Sequence, residues 1–271
     1  MSTRNSRPDA VVVIPTLTNT EGLKHVLVEL DKHGGYPRVV VSNDPNNDLS
    51  ELKRISEHNL FTEQKNQGFA KAVNDGVTEA IKLYNPTYIV ILNDDVKFDS
   101  DWIKTCIETM EENGWAATAP ILKRPDGSIE NIGYSILPQG KAELVTDITK
   151  IHESVSGRGI DGITAAALVM YTDAFMQLDG FDETFFAYLE DVDLCLRMER
   201  IGMSFGVTPT AEVIHMGQQT SSKMSKKKAW LDYKNWKKLI KRHWSLSERF
   251  KYAPAIFLER LRNLYGVLKA S

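Results

Sequence analysis

The sequence predicts an α/β fold built on an open, mainly parallel β-sheet and followed by a basic helical extension. Three observations carry this expectation. Short continuous runs of β-branched and other apolar residues alternate with segments of helical periodicity, the loops between them are short and polar, and the balance of charge changes sign near residue 222. Unbroken apolar runs mark strands buried on both faces, as parallel strands are when crossover helices cover the sheet.

The first run, Ala10-Val-Val-Val-Ile14, closes at Pro15 and precedes a helical pattern over Thr20–His33. Arg38–Ser42 repeats the strand signal, and Asp48–Glu57 reads as helical. Phe69, Ala72, Val73, Val77, Ala80, Ile81 and Tyr84 recur at the spacing of one helix face, and Tyr88-Ile-Val-Ile-Leu92 is the next buried strand. In an open sheet of this kind ligands sit beyond the carboxyl ends of the strands, which directs attention to the loops after Ile14, Val41 and Leu92. A helix is expected over Asp101–Asn113. The pattern then loosens from Pro120 to Gly162, where Pro125-Asp-Gly127 signals a turn and Ser128–Ile136 reads as one strand, in a region suited to shaping an acceptor pocket. Ile163–Tyr171 reads as a strand, Asp191–Ile201 as a helix and Ala211–His215 as a short final strand.

Two amphipathic helical stretches follow from about Gln218. One places Trp230, Tyr233, Ile240 and Trp244 on a shared face amid Lys and Arg; the other does the same for Phe257, Leu261, Leu264 and Leu268, with Pro254 at a tolerated early position. The expected division is an α/β domain over residues 1–221 and a basic amphipathic extension over 222–271. Residues 222–271 carry 14 Lys and Arg against Asp232, Glu248 and Glu259, a balance of +11, so the overall charge of −3 leaves −14 on the first 221. A tail of this sign meets something anionic, and packing or oligomer contact, an anionic membrane surface, and nucleic-acid phosphates are the three readings to weigh.

Composition excludes several classes. At 42% hydrophobic and 25% charged, with 17 Gly and 10 Pro in 271 residues, the chain is neither disordered nor collagen-like. No stretch approaches the roughly 18 consecutive apolar residues that a spanning helix needs. The short polar segment Met1–Asp9 lacks the apolar core of a secretory signal, and the two cysteines, Cys106 and Cys195, sit in apolar helical patterns that offer no disulfide framework. A cytoplasmic setting is expected, with the tail allowing a peripheral place at the inner membrane surface.

Several residues then carry chemistry. Asn93-Asp94-Asp95 follows a fully apolar strand, so its carboxylates emerge at the ligand edge of the sheet; strand-end aspartates suit Mg²⁺ or Mn²⁺ bridged to a diphosphate, although Asp clusters also cap helices. Glu190-Asp191 opens a helix after the aromatic run Phe185-Phe-Ala-Tyr188, where it reads either as a helix cap or as a general base beside apolar walls. Adjacent carboxylates do not straddle a glycosidic bond as a hydrolase requires. His215 ends a strand, where an isolated histidine is commonly structural, yet this one can converge on a cation held by Asp95. In Asn66-Gln-Gly-Phe-Ala-Lys71, Gly68 opens a helix whose N-terminus, with Lys71, can face an anion. The stretch matches neither GxGxxG nor GxxxxGK[ST], which weakens dinucleotide and P-loop readings.

Together VVVIPT, the Asn66-x-Gly-Phe-Ala block ending at Asn74, LNDDV, Pro125-Asp-Gly127, GFDETFFAYLEDVDLCLRMERIG and PTAEVIH, in that order from about Ala10 to Ser222, resemble the GT-A glycosyltransferases of family 2, and within them the rhamnosyltransferase-like branch. The resemblance implies the GT-A fold, a Rossmann-like nucleotide-diphospho-sugar transferase architecture. It implies that Pro15 and Thr16 line a nucleotide pocket, that Asp44 or Asn43 meets the base, and that Asn66, Gly68 and Lys71 lie near the nucleotide or diphosphate. By the same resemblance Asp95, with Asn93 and Asp94 beside it, matches the metal-binding member of the DxD-type motif, and His215 matches an additional ligand for Mn²⁺ or Mg²⁺. Asp191 matches the catalytic base of inverting members, and Glu190 orients it or binds acceptor. Two positions depart from the pattern: Asn93 stands where the first Asp is usual, and Asn43-Asp44 replaces Asp-Asn. The implied partners are a nucleoside-diphosphate sugar and a glycan or lipid-linked glycan acceptor. The alternatives are transfer to a modified nucleic-acid base and a catalytically silent module that binds sugar nucleotide or glycan.

Overall fold

The computed structural model describes residues 9–54, 59–151, 159–217 and 225–269. Strand β1 (Ala10–Thr16) is buried along its whole length and pairs in parallel with β2 (Arg38–Ser42) on one side and β4 (Tyr88–Leu92) on the other, while β3 (Asn59–Glu63) adds in parallel to β2. Beyond β4 the sheet continues through β10 (Ala167–Tyr171), β6 (Ala117–Lys123), β11 (Phe205–His215) and β5 (Val96–Lys97), and β7 (Ile129–Asn131) pairs with β6. β10 is antiparallel to both β4 and β6, and β6 is parallel to β11. Two reversals restore the original direction. The carboxyl ends of β1, β2, β4, β6 and β11 and the amino end of β10 therefore share one edge of the sheet.

The unbroken apolar strands are explained by helices on both faces. Helices α1 (Thr20–Lys32) and α3 (Trp102–Asn113) bring Leu23, Leu27, Trp102 and Met110 against Val12, Ile14, Val40 and Val90. On the opposite face α2 (Phe69–Tyr84), α4 (Thr172–Gln177) and α5 (Glu190–Arg200) bring Val73, Phe175, Leu194 and Met198 against Val11, Val13, Ile89 and Ile91. Each such side chain contributes about 1.5–3 kcal/mol on burial, which makes the sheet a rigid base for its loops. Cys106 and Cys195 are free and buried in α3 and α5.

The C-terminal region forms α6 (Ser225–His243), α7 (Leu246–Lys251), opened by a capping box between Ser245 and Glu248, and α8 (Ala253–Lys269). Helix α6 buries Trp236 and Leu239 against Phe185 and Val192, so it lies on the segment that leads into α5. Its buried face runs through Asn235, Trp236, Leu239 and Ile240, whereas Trp230 of the expected face is half exposed. The expected boundary between residues 221 and 222 lies outside the described residues, as does most of Met1–Asp9. Among the described residues no helix is long and apolar enough to cross a membrane.

The local readings differ from the structure in three places. Asp48–Glu57 holds only a 3₁₀ turn at Leu52–Arg54 in its described part, and strand β3 follows; its pattern of half-buried residues at the sheet edge gave no continuous apolar signal. Ser128–Ile136 is two strands, β7 and β8 (Tyr134–Ile136), because Gly133 takes φ 135° and donates its N–H to Asn131 Oδ1 at 2.6 Å. The second of these leaves the main sheet to pair with β9 (Ala142–Leu144). The final strand is longer than Ala211–His215 because the chain bulges between Thr208 and Glu212, past Pro209, without losing its pairing to β6. The sheet is mainly parallel, as expected, with β10, β7 and β5 running against their neighbours.

Candidate active site

The shared edge gathers three hydrogen-bonded groups. The first sits after β4. Asp94 Oδ2 accepts from the Thr16 hydroxyl at 2.5 Å, and the Asn19 amide donates to the Asp94 carbonyl at 2.9 Å, so the ends of β1 and β4 are pinned together. Burial pushes the Asp94 carboxyl up to about 6, while the Thr16 and Asn19 donors work the other way. Next to it Asp95 Oδ1 lies 3.2 Å from His215 Nε2, and the other ring nitrogen lies 3.1 Å from Glu130 Oε2. The backbone keeps this pair in place, because Met216 N–H donates to the Asp95 carbonyl at 2.8 Å and His215 and Val96 are register partners. Burial works against a charged imidazole at His215, but the carboxylates of Asp95 and Glu130 outweigh it and raise it to about 10.

The second group surrounds Gly68, at φ 94° just before α2. The Asn66 side chain accepts from its N–H at 3.1 Å, and the Asn43 amide donates to its carbonyl at 3.2 Å. Gln64 in turn donates to Asn43 Oδ1 at 2.9 Å. Asp44 is tied locally, accepting from the Asn46 N–H at 2.9 Å, and Pro15 is a buried member of β1 opposite Val41. The Lys71 ammonium is engaged by Asp75 and lies 3.8 Å from Glu183.

The third group opens α5. Glu190 and Asp191 are 6% and 9% exposed, so two adjacent carboxylates are withdrawn from water together. Asp191 Oδ2 accepts from the Tyr134 hydroxyl at 2.9 Å and from Ala165 N–H at 3.3 Å, while Oδ1 accepts from Val192 N–H at 2.8 Å. Burial raises the Asp191 carboxyl and those donors only partly offset it; Glu190 is raised by burial and by the charge of Asp191. Glu190 Oε2 has no hydrogen-bond partner among the described residues. Asp191 is thus a hydrogen-bonded carboxylate with a raised proton affinity, the state a general base needs.

Backbone joins these groups. Ala165 donates to Asp191, and its neighbour Ala166 accepts from Asn93 N–H at 2.9 Å, which sets the mouth of β10 between the two acidic pairs. Phe186 O accepts from Ala70 N–H at 3.3 Å, linking the start of α2 to the approach to α5. That approach carries positive φ at Phe186, Tyr188 and Leu189, and Asn235 of α6 holds it by donating to the carbonyls of Phe185, Ala187 and Tyr188 at 2.8–2.9 Å. Asn19, Glu130, Tyr134 and Asn235 were not among the residues singled out from sequence.

Among the described residues no three His, Cys, Asp or Glu side chains are arranged to hold a metal by themselves. Asp95 and His215 nevertheless suit a divalent cation in kind. The Asp95 Oδ1 oxygen is buried and makes no geometrically good hydrogen bond, and carboxylate plus imidazole accommodates Mn²⁺. Two protein ligands with the remaining positions left to diphosphate oxygens and water is a common way for such cations to be held at phosphate substrates.

Residues 11–167, more than half of the chain, match the family model described as glycosyl transferase family 2. The chain belongs to that family. This glycosyltransferase is 25% identical over 218 residues to rhamnosyltransferase WbbL of Escherichia coli (strain K12), covering 75% of this chain and 82% of that one. It is also 25% identical over 187 residues to the N-acetylglucosaminyl-diphospho-decaprenol L-rhamnosyltransferase of Mycobacterium tuberculosis (strain CDC 1551 / Oshkosh), covering 60% of each chain. These relatives agree with the rhamnosyltransferase-like branch. Among solved structures, GalNAc-T7 with UDP, GalNAc and Mn²⁺ superposes with a TM-score of 0.71 at 12% identity, over 92% of this glycosyltransferase and 50% of that chain. The GT-A fold expected from sequence is therefore the fold of this protein.

Proposed function

We propose that this family 2 enzyme is an inverting transferase that moves a hexosyl or deoxyhexosyl group from a nucleoside-diphosphate sugar to a hydroxyl of a glycan or lipid-linked glycan. The observation that carries the reading is Asp191, buried, held by Tyr134 and Ala165, and set across the mouth of β10 from Asp94 and Asp95. Support for a deoxyhexose comes from the likeness to the two rhamnosyltransferases, and support for a lipid-linked acceptor from the decaprenol-linked one of Mycobacterium tuberculosis.

In this reading Asp191 accepts the proton of the acceptor hydroxyl as its oxygen bonds to the anomeric carbon, and the bond from that carbon to the diphosphate oxygen breaks with its electron pair. Attack from the side opposite the leaving group inverts the anomeric configuration. Glu190 Oε2, buried without a partner among the described residues, supports a second contact to the acceptor. Asn43, Asn66 and Gly68, bonded to one another, would form the wall of the nucleotide pocket, and Thr16 fixes Asp94 beside it. Asp95 and His215 would hold Mn²⁺ or Mg²⁺, which when bound supplies positive charge against the departing diphosphate.

The test is a panel of nucleoside-diphosphate sugars with Mn²⁺ or Mg²⁺, scored by thermal shift and then by release of nucleoside diphosphate with and without acceptor glycans. A donor that binds the folded chain raises its melting temperature. Acceptor-dependent release with an inverted product supports the proposal; donor binding with no transfer to any glycan favours the silent module, and transfer to a modified base identifies the other acceptor class.

A further inference from the structure

Helix α8 buries one side and exposes another. Glu259 and Val267 are covered, and Arg260 lies 5.4 Å from the Trp236 ring of α6, so this side is the seat of the helix. Phe257, Leu258, Leu261, Leu264, Tyr265 and Leu268, at spacings of one, four, seven, eight and eleven residues from the first, form the opposite stripe and are 37–74% exposed. Leu246 and Phe250, one turn apart on α7, are 68% and 79% exposed. Isolated exposed apolar residues are ordinary, but a helix that turns two aromatic rings and four leucines to water is presenting an interaction surface.

The rim chooses the partner. Arg262 follows Leu261 and has 78% of its side chain exposed, the Lys269 ammonium lies 4.8 Å from the Tyr265 ring and that of Lys251 lies 5.0 Å from the Tyr252 ring. Residues 222–271 carry a balance of +11, while the rest of the chain is acidic. Two copies meeting through this stripe would bring their own cations together. Duplex DNA answers the charge but offers no apolar phase for leucine and phenylalanine. An anionic bilayer answers both, with acyl chains for the stripe and lipid phosphates for the rim.

We propose that α7 and α8 form a monotopic docking surface for an anionic phospholipid bilayer, with Phe257, Leu261, Leu264 and Leu268 entering the acyl boundary and Lys251, Arg262 and Lys269 at the headgroups. The inference extends the transferase reading by naming the surface on which a lipid-linked acceptor is met.

The experiment is co-sedimentation of the full chain with phosphatidylcholine vesicles and with phosphatidylcholine–phosphatidylglycerol vesicles, at low and high salt. The expected result is binding to the anionic vesicles alone, weakened by salt. Phe257→Ser with Leu261→Ser should lower partitioning about tenfold or more, given the apolar area removed. Arg262→Glu with Lys269→Glu should remove binding at low salt while keeping every apolar residue of the stripe, and both double variants should melt as the unaltered chain does. No sedimentation with anionic vesicles, equal binding of the Phe257/Leu261 variant, or a dimer in light scattering that this variant dissociates would each overturn the proposal. So would duplex DNA binding that the charge variant abolishes in a chain indifferent to vesicles. Donor binding and transfer to a water-soluble acceptor, measured without vesicles, read the catalytic proposal separately, so either can fail alone.

Discussion

The Tyr134 hydroxyl donates a 2.9 Å hydrogen bond to Asp191 Oδ2, joining the β8–β9 hairpin to the first turn of α5 across 57 residues of chain. Burial and the adjacent Asp191 charge hold the phenol well above its ordinary value, so it remains a donor wherever the enzyme works. A donor to the charged form of a carboxylate favours that form. Removing it by Tyr134→Phe should raise the Asp191 proton affinity further. A general base acts only when deprotonated, so with Asp191 in the proposed role the acid limb of the kcat/KM profile should move to higher pH, by about one unit for a hydrogen bond of ordinary strength. An unmoved acid limb would show that Tyr134 does not tune the base.

Asp191→Asn keeps the size of the side chain and removes its ability to take a proton. Turnover should fall by about 10²–10⁴-fold, the usual contribution of a positioned base, while donor binding measured by thermal shift stays close to that of the unaltered chain. Near-normal turnover would reject the assignment.

The metal assignment is checked by binding rather than by rate. Asp95→Ala and His215→Ala should each weaken donor binding in calorimetry with Mn²⁺ present and leave the weaker binding with chelator unchanged. An isotherm that neither substitution alters would remove both residues from the cation site.

What the sequence made legible follows its physics. β1, β2 and β4 were read because burial on both faces leaves an unbroken apolar run, and α2 because its apolar positions recur every three or four residues. Asp95 and Asp191 could be proposed as site residues because a strand-end and a helix-start carboxylate fall within the long segments that carry the family resemblance. β3 was missed because a half-exposed edge strand carries mixed residues, and the break at Gly133 because one glycine in a polar stretch does not announce a change of sheet. Tyr134 and Glu130 lie in that same irregular stretch, and their roles arise only when β6–β9 fold back on α5 and β11. Asn235 sits amid lysines in α6, where nothing local marks it as the donor that holds three carbonyls before Glu190.

Glu190 gives a stability prediction of definite sign. Burial and the charges of Asp191, Asp193 and Asp232 raise its carboxyl above the ordinary glutamate value of 4.5, so the folded chain binds this proton more tightly than the unfolded one. Stability from this group is therefore full below that value and is lost as pH rises above it. Glu190→Gln removes the charge and should stabilise the chain at neutral pH by on the order of 1 kcal/mol, about 2–4 °C in a protein of this size, at the expense of activity. The gain should shrink to nothing near pH 4. A stabilisation equal at both pH values would point to packing instead of charge.

In the proposed mechanism Gly68 couples the donor side of the site to Asp191. It stands at φ 94°, and a Cβ there would lie 2.3 Å from the Phe186 carbonyl oxygen. That backbone cannot simply yield, since Phe186, Tyr188 and Leu189 already hold positive φ and Asn235 grips the carbonyls around them. Gly68→Ala should therefore cost about 1–3 kcal/mol in a denaturant titration and displace the approach to Glu190 and Asp191, lowering kcat along with stability. Gly114→Ala is the control: its φ is 65°, yet a Cβ there meets nothing within 4 Å. That substitution should cost only the backbone preference, about 1 kcal/mol, with kcat unchanged. If the two variants lose stability equally and Gly68→Ala keeps full turnover, the contact with Phe186 does not connect the nucleotide loop to the base.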